Sequence, residues 1–465
     1  MRLLENIEKK KVLILGFGRE GLSTYKYLRK KYPDKKLAIA DVKDINNFDI
    51  EIIKLINKDI YLNYHLGKDF LKFLELYEIV IKTPGISHKL KEINDAKKKG
   101  IEFTSQTNIF LNQCKGKIIG ITGTKGKSTT TSLVYHILQE AKIESILVGN
   151  IGKPPLDCLS EGDRNTFFVF EMSSHQLMDI ETSPHIAIIL NIFPEHLDYY
   201  SNYEEYKNAK FNITKYQNNL DYLIYCTDFS EIGKFSNKTK SQKYSFSTIK
   251  QVDRGCFIKN EMIVFRNNNK VEFIIQSNKI PLKGKHNLNN TMAAIIASHI
   301  AGASFETISK AIQSFNPLEG RLENVGIFDS KYFVNDTLAT IPEATISAIE
   351  AFKDKEITLI LGGFDRGLSF NKLGIYLAKN NNVKNVVLIG QTALKIKETL
   401  NYHKFKGQIH NLGKSKMSEV VKLASNITNK NGIILLSPAS TSFDMFKDYK
   451  DRGDQFKKEV LELSK

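Results

Sequence analysis

Short apolar runs that close on a small or polar residue recur along the chain and alternate with longer segments of mixed polarity. The first set is "KVLILGF", "KLAIADV", "EIVIKTPG", "KIIGITG", "FFVFEMS" and "HIAIILNIF". After residue 320 the rhythm resumes with "KYFVNDT", "ITLILGG", "NVVLIG" and "GIILLSPA". Runs of Val, Ile and Leu ending in Gly, Asp, Ser or Asn predict buried parallel strands whose C-terminal ends carry function. Strands alternating with helical segments predict an α/β architecture throughout. Between about 216 and 285 the texture changes: "DYLIYCTD", "QKYSFST", "RGCFIKNEMIVFRN" and "KVEFIIQ" predict shorter, partly antiparallel strands with turns at "NNN" and "SNK". The Ala/Ile content of "NLNNTMAAIIASHIAGA" predicts a helix packed on a sheet. Boundaries near 113 and 315, the latter at the turn-forming "QSFNPLEGR", divide the chain into domains 1–112, 113–315 and 316–465. There is no internal repeat and no low-complexity linker.

Composition narrows the class. The 465 residues exceed what one core usually organises, and 42% hydrophobic with 25% charged residues is ordinary for a globular protein. The N-terminal apolar run reaches glycine too soon for a secretory signal, and no stretch approaches ~18 apolar residues, so no membrane span is expected. Cys114, Cys158, Cys226 and Cys256 lie far apart without C-x-x-C spacing. A reducing cytoplasm, without disulfides or a zinc cluster, follows. The net charge of +16 comes from lysines scattered through solvated segments, with no nucleic-acid-binding motif. No nucleic-acid partner is expected; a basic surface suits polyanionic small substrates such as nucleotides.

Two glycine-rich loops carry the candidate chemistry. The first, "VLILGFGREGLSTYKYL", sets Gly16, Gly18 and Gly21 in a G-x-G-x-x-G between a strand and a helix, where backbone amides can approach a pyrophosphate. Asp41, about 20 residues on at the next strand end, is placed to bind a ribose hydroxyl. NAD, FAD and UDP-sugar all fit this pattern. Thr83 in "KTPGI" closes the following strand, where it can reach a ligand across the sheet top or simply belong to an ordinary Pro-Gly turn.

The second loop, "KIIGITGTKGKSTTT", departs from the strict phosphate-loop pattern, because Ile121 stands where a glycine is required. Its strand-loop-helix context is right. Lys127 can reach terminal phosphate oxygens, Ser128 can ligate magnesium, and the amides from Thr124 to Lys127 can form an anion nest. The next strands end in Glu171 and Asn191, and Glu195, His196 and Asp198 follow, a supply of oxygen ligands for magnesium.

Five blocks in order, "GTKGKST", "EMSSHQL", "NIFPEHLD" with "YKNAK", "GKHNLNN" and "LLSPASTSFDMFKDYKDRGDQF", resemble the Mur ligase family across nearly the full length. These are the ATP-dependent amino-acid-adding enzymes of peptidoglycan synthesis. The last block and "GNIG" at 149–152 are most similar to the D-glutamate-adding branch. The family's loop has the form T-G-T-[NK]-G-K-[ST], so the displaced glycine is the family pattern. The resemblance implies a Rossmann-like N-terminal domain for UDP and a central P-loop-like ATPase domain with a mainly parallel sheet plus a small β element. A Rossmann-like C-terminal domain would help bind the amino acid.

It also implies the reaction: ATP phosphorylates the alanine carboxylate of UDP-N-acetylmuramoyl-L-alanine, and the amine of glutamate attacks the acyl phosphate. Gly123, Thr124, Lys125, Gly126, Lys127, Ser128 and Thr129 would then hold ATP. Asn287 and Asn290 would lie around its base, with Arg321 and Asp336 closing over phosphate and ribose. Two Mg2+ ions are implied, Ser128 and Glu171 serving one and His196 the other. Lys210 matches the lysine that the family carries as a carbamate assisting the second metal; read without the resemblance it is a solvent-facing helical lysine. Asn150, Asn191, Ser173 and Gln176 would serve the muramoyl substrate.

The glutamate end departs from the pattern. Where the branch carries N-D-S-K-A-T-N, this chain reads "NDTLATI", with Leu338 for the lysine and Ile341 for the last asparagine. Arg366 stands where a lysine is usual and can bind a carboxylate bidentately. Ser442, Phe443 and Tyr449 match the glutamate pocket, Tyr449 replacing a phenylalanine. D-glutamate is the expected amino acid, with L-glutamate the alternative. A monomer is expected. The rivals are an NAD-dependent oxidoreductase using the first loop alone, and a catalytically silent binding protein.

Overall fold

A computed structural model describes residues 2–195, 199–282 and 284–463. Three sheets are laid down in chain order. The first contains β1 (Val12–Leu15), β2 (Leu37–Asp41), β3 (Leu62–Leu66), β4 (Ile79–Lys82) and β5 (Glu102–Thr104). All five strands are parallel in the order β3-β2-β1-β4-β5. Strand order reverses at β1, which opens a crevice above the ends of β1 and β4.

The second sheet contains β6 (Lys117–Thr122), β7 (Ser145–Gly149), β8 (Phe167–Glu171), β9 (Ile186–Ile189), β10 (Tyr222–Cys226), β11 (Gln242–Ser247), β12 (Arg254–Lys259), β13 (Met262–Asn267) and β14 (Lys270–Gln276). Its order is β14-β13-β12-β11-β10-β9-β6-β8-β7. β6 lies between β8 and β9, so the loop after β6 rises between the ends of those two strands. The strands expected after residue 216 form, and they extend the same sheet. β10 and β11 continue the parallel sheet, and the antiparallel β12–β14 meander extends it.

The third sheet contains β15 (Glu323–Phe328), β16 (Lys331–Asn335), β17 (Ile357–Gly362), β18 (Val383–Ile389), β19 (Gln408–Gly413) and β20 (Ile433–Leu436). Its order is β15-β16-β20-β17-β18-β19, parallel except for the β15–β16 pair.

Chain compactness groups Met1–Lys279 with Asn289–Ser314, and Ile280–Leu288 with Phe315–Lys465. Within the first unit the two sheets contribute to one hydrophobic core. Helix Gln106–Gln113, buried from Gln106 to Leu111, follows β5, and its Phe110 ring meets Phe168 and Phe170 of β8 edge-on at 5.2 and 5.7 Å. Helix Lys285–Ile300 buries Met292 to Ala297 completely, as its apolar content predicted. Among the described residues no helix is long and apolar enough to cross a membrane, and the four cysteines are free thiols.

Candidate active site

The first glycine loop is shaped by close approach. Gly16 has φ 91°, and a Cβ there would fall 2.0 Å from Thr83 Oγ1; one on Gly21 would fall 1.9 Å from Gly16 O. A Cβ on Gly18 would meet open space, so that residue leaves the N-terminus of helix Arg19–Lys31 approachable. The acid at the end of β2 is turned into the loop: Asp41 Oδ2 accepts from Phe17 N at 2.6 Å and Oδ1 from Lys43 N at 2.9 Å. Thr83 likewise donates to Leu15 O at 3.1 Å, tying β4 to β1.

The second loop leaves β6 and enters helix Lys127–Glu140 through Gly126, whose φ is 85°. A Cβ at Gly126 would lie 2.3 Å from Oδ1 of buried Asn290, so helix Lys285–Ile300 packs directly on the turn. Asn191 braces the loop from the end of β9. Its Oδ1 accepts from Lys125 N at 2.8 Å, and its Nδ2 donates to Lys125 O at 2.9 Å. Lys125 Nζ pairs with Glu195 at 2.6 Å. Thr124, Lys125, Gly126, Lys127, Ser128 and Thr129 thus line a preformed turn at a helix N-terminus, where amides and the helix dipole favour an anion.

Lys210 is no solvent-facing lysine. It closes the last turn of helix Tyr203–Phe211 and is 2% exposed. Its Nζ donates to Gly123 O at 2.9 Å. Lys127 Nζ donates to the same carbonyl at 2.9 Å and to Thr124 O at 2.9 Å, so two lysines converge on one acceptor. Burial, then the charge of Lys127, holds the Lys210 amine well below the usual lysine range. Tyr206, one turn earlier, offers its ring face to Lys210 Nζ at 4.8 Å and its hydroxyl to Thr124 Oγ1 at 3.0 Å. Its place four residues before Lys210 is the signal that the sequence reading passed over.

Glu171 ends β8 beside Ile121 of β6 and Gly149 of β7. The residue is 4% exposed, its Oε1 accepts from Asn150 Nδ2 at 3.4 Å, and its Oε2 is buried without a hydrogen-bond partner. A buried carboxylate oxygen left open beside a phosphate loop fits a hard cation such as magnesium, which prefers one or two carboxylates and retained water. Among the described residues no three His, Cys, Asp or Glu side chains cluster as a metal site. His196, expected at the second metal, lies outside the described residues, as does Asp198.

Ser173 and Gln176 form a capping box on helix Ser174–Leu177, and Gln176 Nε2 donates to Glu20 at 2.9 Å. A second contact missed in the sequence involves Arg19, which donates to the carbonyls of Gly149 and Gly152.

Asn287 is buried in the first turn of helix Lys285–Ile300. In the sheet that follows, Asp336 comes directly after β16 and is buried, accepting from Ser437 Oγ at 2.8 Å and from Leu322 N at 3.3 Å. Burial pushes its carboxyl up to about 6, against the lowering effect of Arg321. Arg321 reaches Leu338 O at 3.5 Å. Arg366 lies over the Phe443 ring, 5.7 Å from the centroid, while Ser442 is buried and Tyr449 half exposed. Arg452, unremarked in the sequence, is wholly buried and fastens the segments that carry these residues. It donates to Thr337 Oγ1 at 2.9 Å, Thr337 O at 2.8 Å and Ser440 O at 3.1 Å.

Comparison with known proteins matches residues 10–105 to the family model "Mur ligase MurD-like, N-terminal domain" and residues 121–298 to "Mur ligase middle domain". A relative from Acetivibrio thermocellus, named UDP-N-acetylmuramoylalanine--D-glutamate ligase, is 35% identical over 98% of this chain and 97% of its own. One of the same name from Christiangramia forsetii is 36% identical over 98% of this chain and all of its own. Among solved structures, the UDP-N-acetylmuramate-alanine ligase MurC of Thermotoga maritima superposes with a TM-score of 0.60 at 19% identity, covering 98% of this chain and 100% of that one. The MurF ligase of Thermotoga maritima in complex with ADP gives 0.58 at 15% identity, covering 97% and 95%. These structures share the three-domain α/β fold, and none of the relatives named here is an oxidoreductase, so the dehydrogenase reading of the first loop is set aside. With identity above 30% sustained along the whole chain, and the phosphate loop in the form that these enzymes use, the chain belongs to the Mur ligase family, in its MurD-like branch.

Proposed function

We propose that this protein is an ATP-dependent ligase that joins D-glutamate to UDP-N-acetylmuramoyl-L-alanine through an acyl phosphate, acting as a cytoplasmic monomer. The observation that carries the reading is the convergence of Lys127 and buried Lys210 on Gly123 O, at the mouth of a helix N-terminus.

A carboxylate resists an amine until one of its oxygens becomes a leaving group, and phosphorylation makes it one. The alanine carboxylate must approach the anionic phosphates of ATP, so the site has to supply positive charge. The amides from Thr124 to Lys127 and the helix dipole hold the phosphates, and Lys127 turns from its loop carbonyls to meet them. Ser128 and Glu171 would hold magnesium, which when bound neutralises charge between nucleotide and acceptor. The carboxylate oxygen then bonds the γ-phosphorus as ADP leaves. The glutamate amine adds to the carbonyl carbon, and phosphate departs as the amide forms. The first glycine loop carries the UDP diphosphate. Asn150 approaches the muramoyl substrate; Asn191, Ser173 and Gln176 order the backbone around it. Asn287 and Asn290 serve the adenine side, and Arg321 and Asp336 the phosphate and ribose. Arg366, Ser442, Phe443 and Tyr449 receive glutamate, the guanidinium of Arg366 standing in for the charge that Leu338 lacks.

The depressed basicity of Lys210 suits a further reaction. Its neutral amine adds to carbon dioxide, a C–N bond forms, and the proton passes to solvent, leaving a carbamate. That conversion replaces a buried amine, whose charged form burial disfavours, with an anion that would be attracted to Lys127 and suited to a second magnesium with His196.

Phosphate release from ATP, magnesium and UDP-N-acetylmuramoyl-L-alanine tests the reading. Release is expected with D-glutamate. Release with neither isomer sinks the ligase assignment, and release with L-glutamate alone reverses the stereochemistry. Short carboxylates are expected to restore part of the activity of Lys210→Ala; an unaided variant as active as wild type would remove the carbamate role.

A further inference from the structure

We propose that Arg19 is a positioning residue for the Glu171 carboxylate. It locks the loop that presents Asn150, and so joins the helix of the first glycine loop to the metal end of the second site. The proposal rests on the reading of Glu171 as a magnesium ligand.

Arg19 is the first residue of its helix, directly behind Gly18. A cation at that position is suited to bind a diphosphate, yet its guanidinium is engaged by backbone carbonyls of the turn after β7. Nη2 donates to Gly149 O at 3.4 Å and to Gly152 O. Those carbonyls flank Asn150 in the turn 149–152. Gly149 and Gly152 have φ of 110° and 77°, and Cβ atoms there would fall 2.5 Å from Glu171 O and 2.4 Å from Leu147 O. Only glycine fits both positions, and a turn with two glycines is costly to order. Charge-assisted bonds from one guanidinium to carbonyls on both sides of the turn offset that cost.

The ordered turn acts directly on the carboxylate. Asn150 N donates to Glu171 O at 3.5 Å and Asn150 Nδ2 to Glu171 Oε1 at 3.4 Å, which leaves Oε2 as the open oxygen. Groups that orient a metal-binding carboxylate from behind set its affinity. The same helix supplies an internal control. Ser23 donates to Asp157 Oδ1 at 2.7 Å, a contact between the same two sheets' helices that does not touch the turn 149–152.

The test is calorimetric titration of ADP into the full chain, with and without magnesium, for wild type, Arg19→Ala, Arg19→Lys and Ser23→Ala. Arg19→Ala is expected to weaken magnesium-dependent ADP binding by about ten-fold, in the range for partners that support a metal ligand. Its magnesium-free ADP affinity stays at the wild-type value. Arg19→Lys recovers part of the loss, and Ser23→Ala behaves as wild type. Wild-type affinity in Arg19→Ala overturns the proposal, and so does an equal loss without magnesium or in Ser23→Ala. If Arg19→Ala does not fold, Arg19→Gln, which keeps one amide donor, is held to the same criteria. A wild-type chain whose ADP binding ignores magnesium refutes the Glu171 reading itself.

Discussion

Exchanging Lys210 for methionine is expected to stabilise the protein while abolishing turnover. The amine is 2% exposed, and burial followed by Lys127 holds its basicity below the ordinary lysine value of 10.5. A base whose folded-state pKa is depressed binds its proton more readily in the unfolded chain, so protonation favours unfolding. The penalty is full below the folded pKa, shrinks as pH rises above it, and vanishes above the unfolded value. Burying this amine without a salt-bridge partner, either charged or stripped of its proton, costs several kcal/mol. The hydrogen bond to Gly123 O returns about 1.5–3 kcal/mol of that, as bonds to charged groups do. Methionine fills a similar volume without a charge, so the net gain at pH 7 is about 1–3 kcal/mol. For a unit of this size that is about 2–6 °C in melting temperature. Thermal denaturation in buffer depleted of carbon dioxide, at pH 7 and at pH 9.5, measures it, with phosphate release followed in parallel. A variant melting at or below wild type at pH 7 refutes the reasoning. A gap that fails to narrow at pH 9.5 shows that charge is not its cause.

Three other substitutions test the phosphate loop, Glu171 and the third sheet. Gly126→Ala forces a side chain to φ 85° and into Asn290, costing about 1–2 kcal/mol in backbone strain alone; the melting temperature falls and calorimetric ADP affinity drops with it, and an unchanged affinity would deny the turn its role. Glu171→Gln keeps the shape and the Asn150 contact but removes the charge, so turnover at saturating magnesium falls by about 100-fold, read as phosphate release, while stability holds or rises. Asp336 has its carboxyl raised from 3.8 to about 6, so the folded chain holds the proton more tightly and stability declines as pH climbs between those values, by up to about 3 kcal/mol. Asp336→Asn is expected to flatten that decline, and parallel melting curves for variant and wild type from pH 4 to 7 would contradict the assignment.

The strands legible in the sequence are nearly all interior ones, and most of them carry a run of buried apolar residues. β3, β5, β7, β15 and β19 escaped notice, and all five are edge strands. β3, "LNYHL", shows why: its middle residues are exposed, so its pattern reads as a loop. The phosphate loop was legible because its chemistry is local, a strand, a turn and a helix in one stretch. The environment of Lys210 was not, since Gly123 and Lys127 reach it from more than eighty residues away. Asp41, Thr83 and Asn191 were correctly read as residues placed at strand ends beside the loops. Their side chains bond the loop backbones, because unpaired amides and carbonyls at a sheet end are satisfied first by the nearest polar groups.

Helix Gln106–Gln113 leaves no hinge between the first two sheets. A domain linker is normally exposed, polar and crossed by few contacts, whereas this one is buried through six residues and wedges Phe110 between two rings of the next sheet. Cutting the chain near residue 113 would strip Phe168 and Phe170 of their cover, and the fragment would expose a sticky apolar seam. The first two sheets therefore pack as one body, and one of them cut from the other is a poor substitute for the pair in a binding assay.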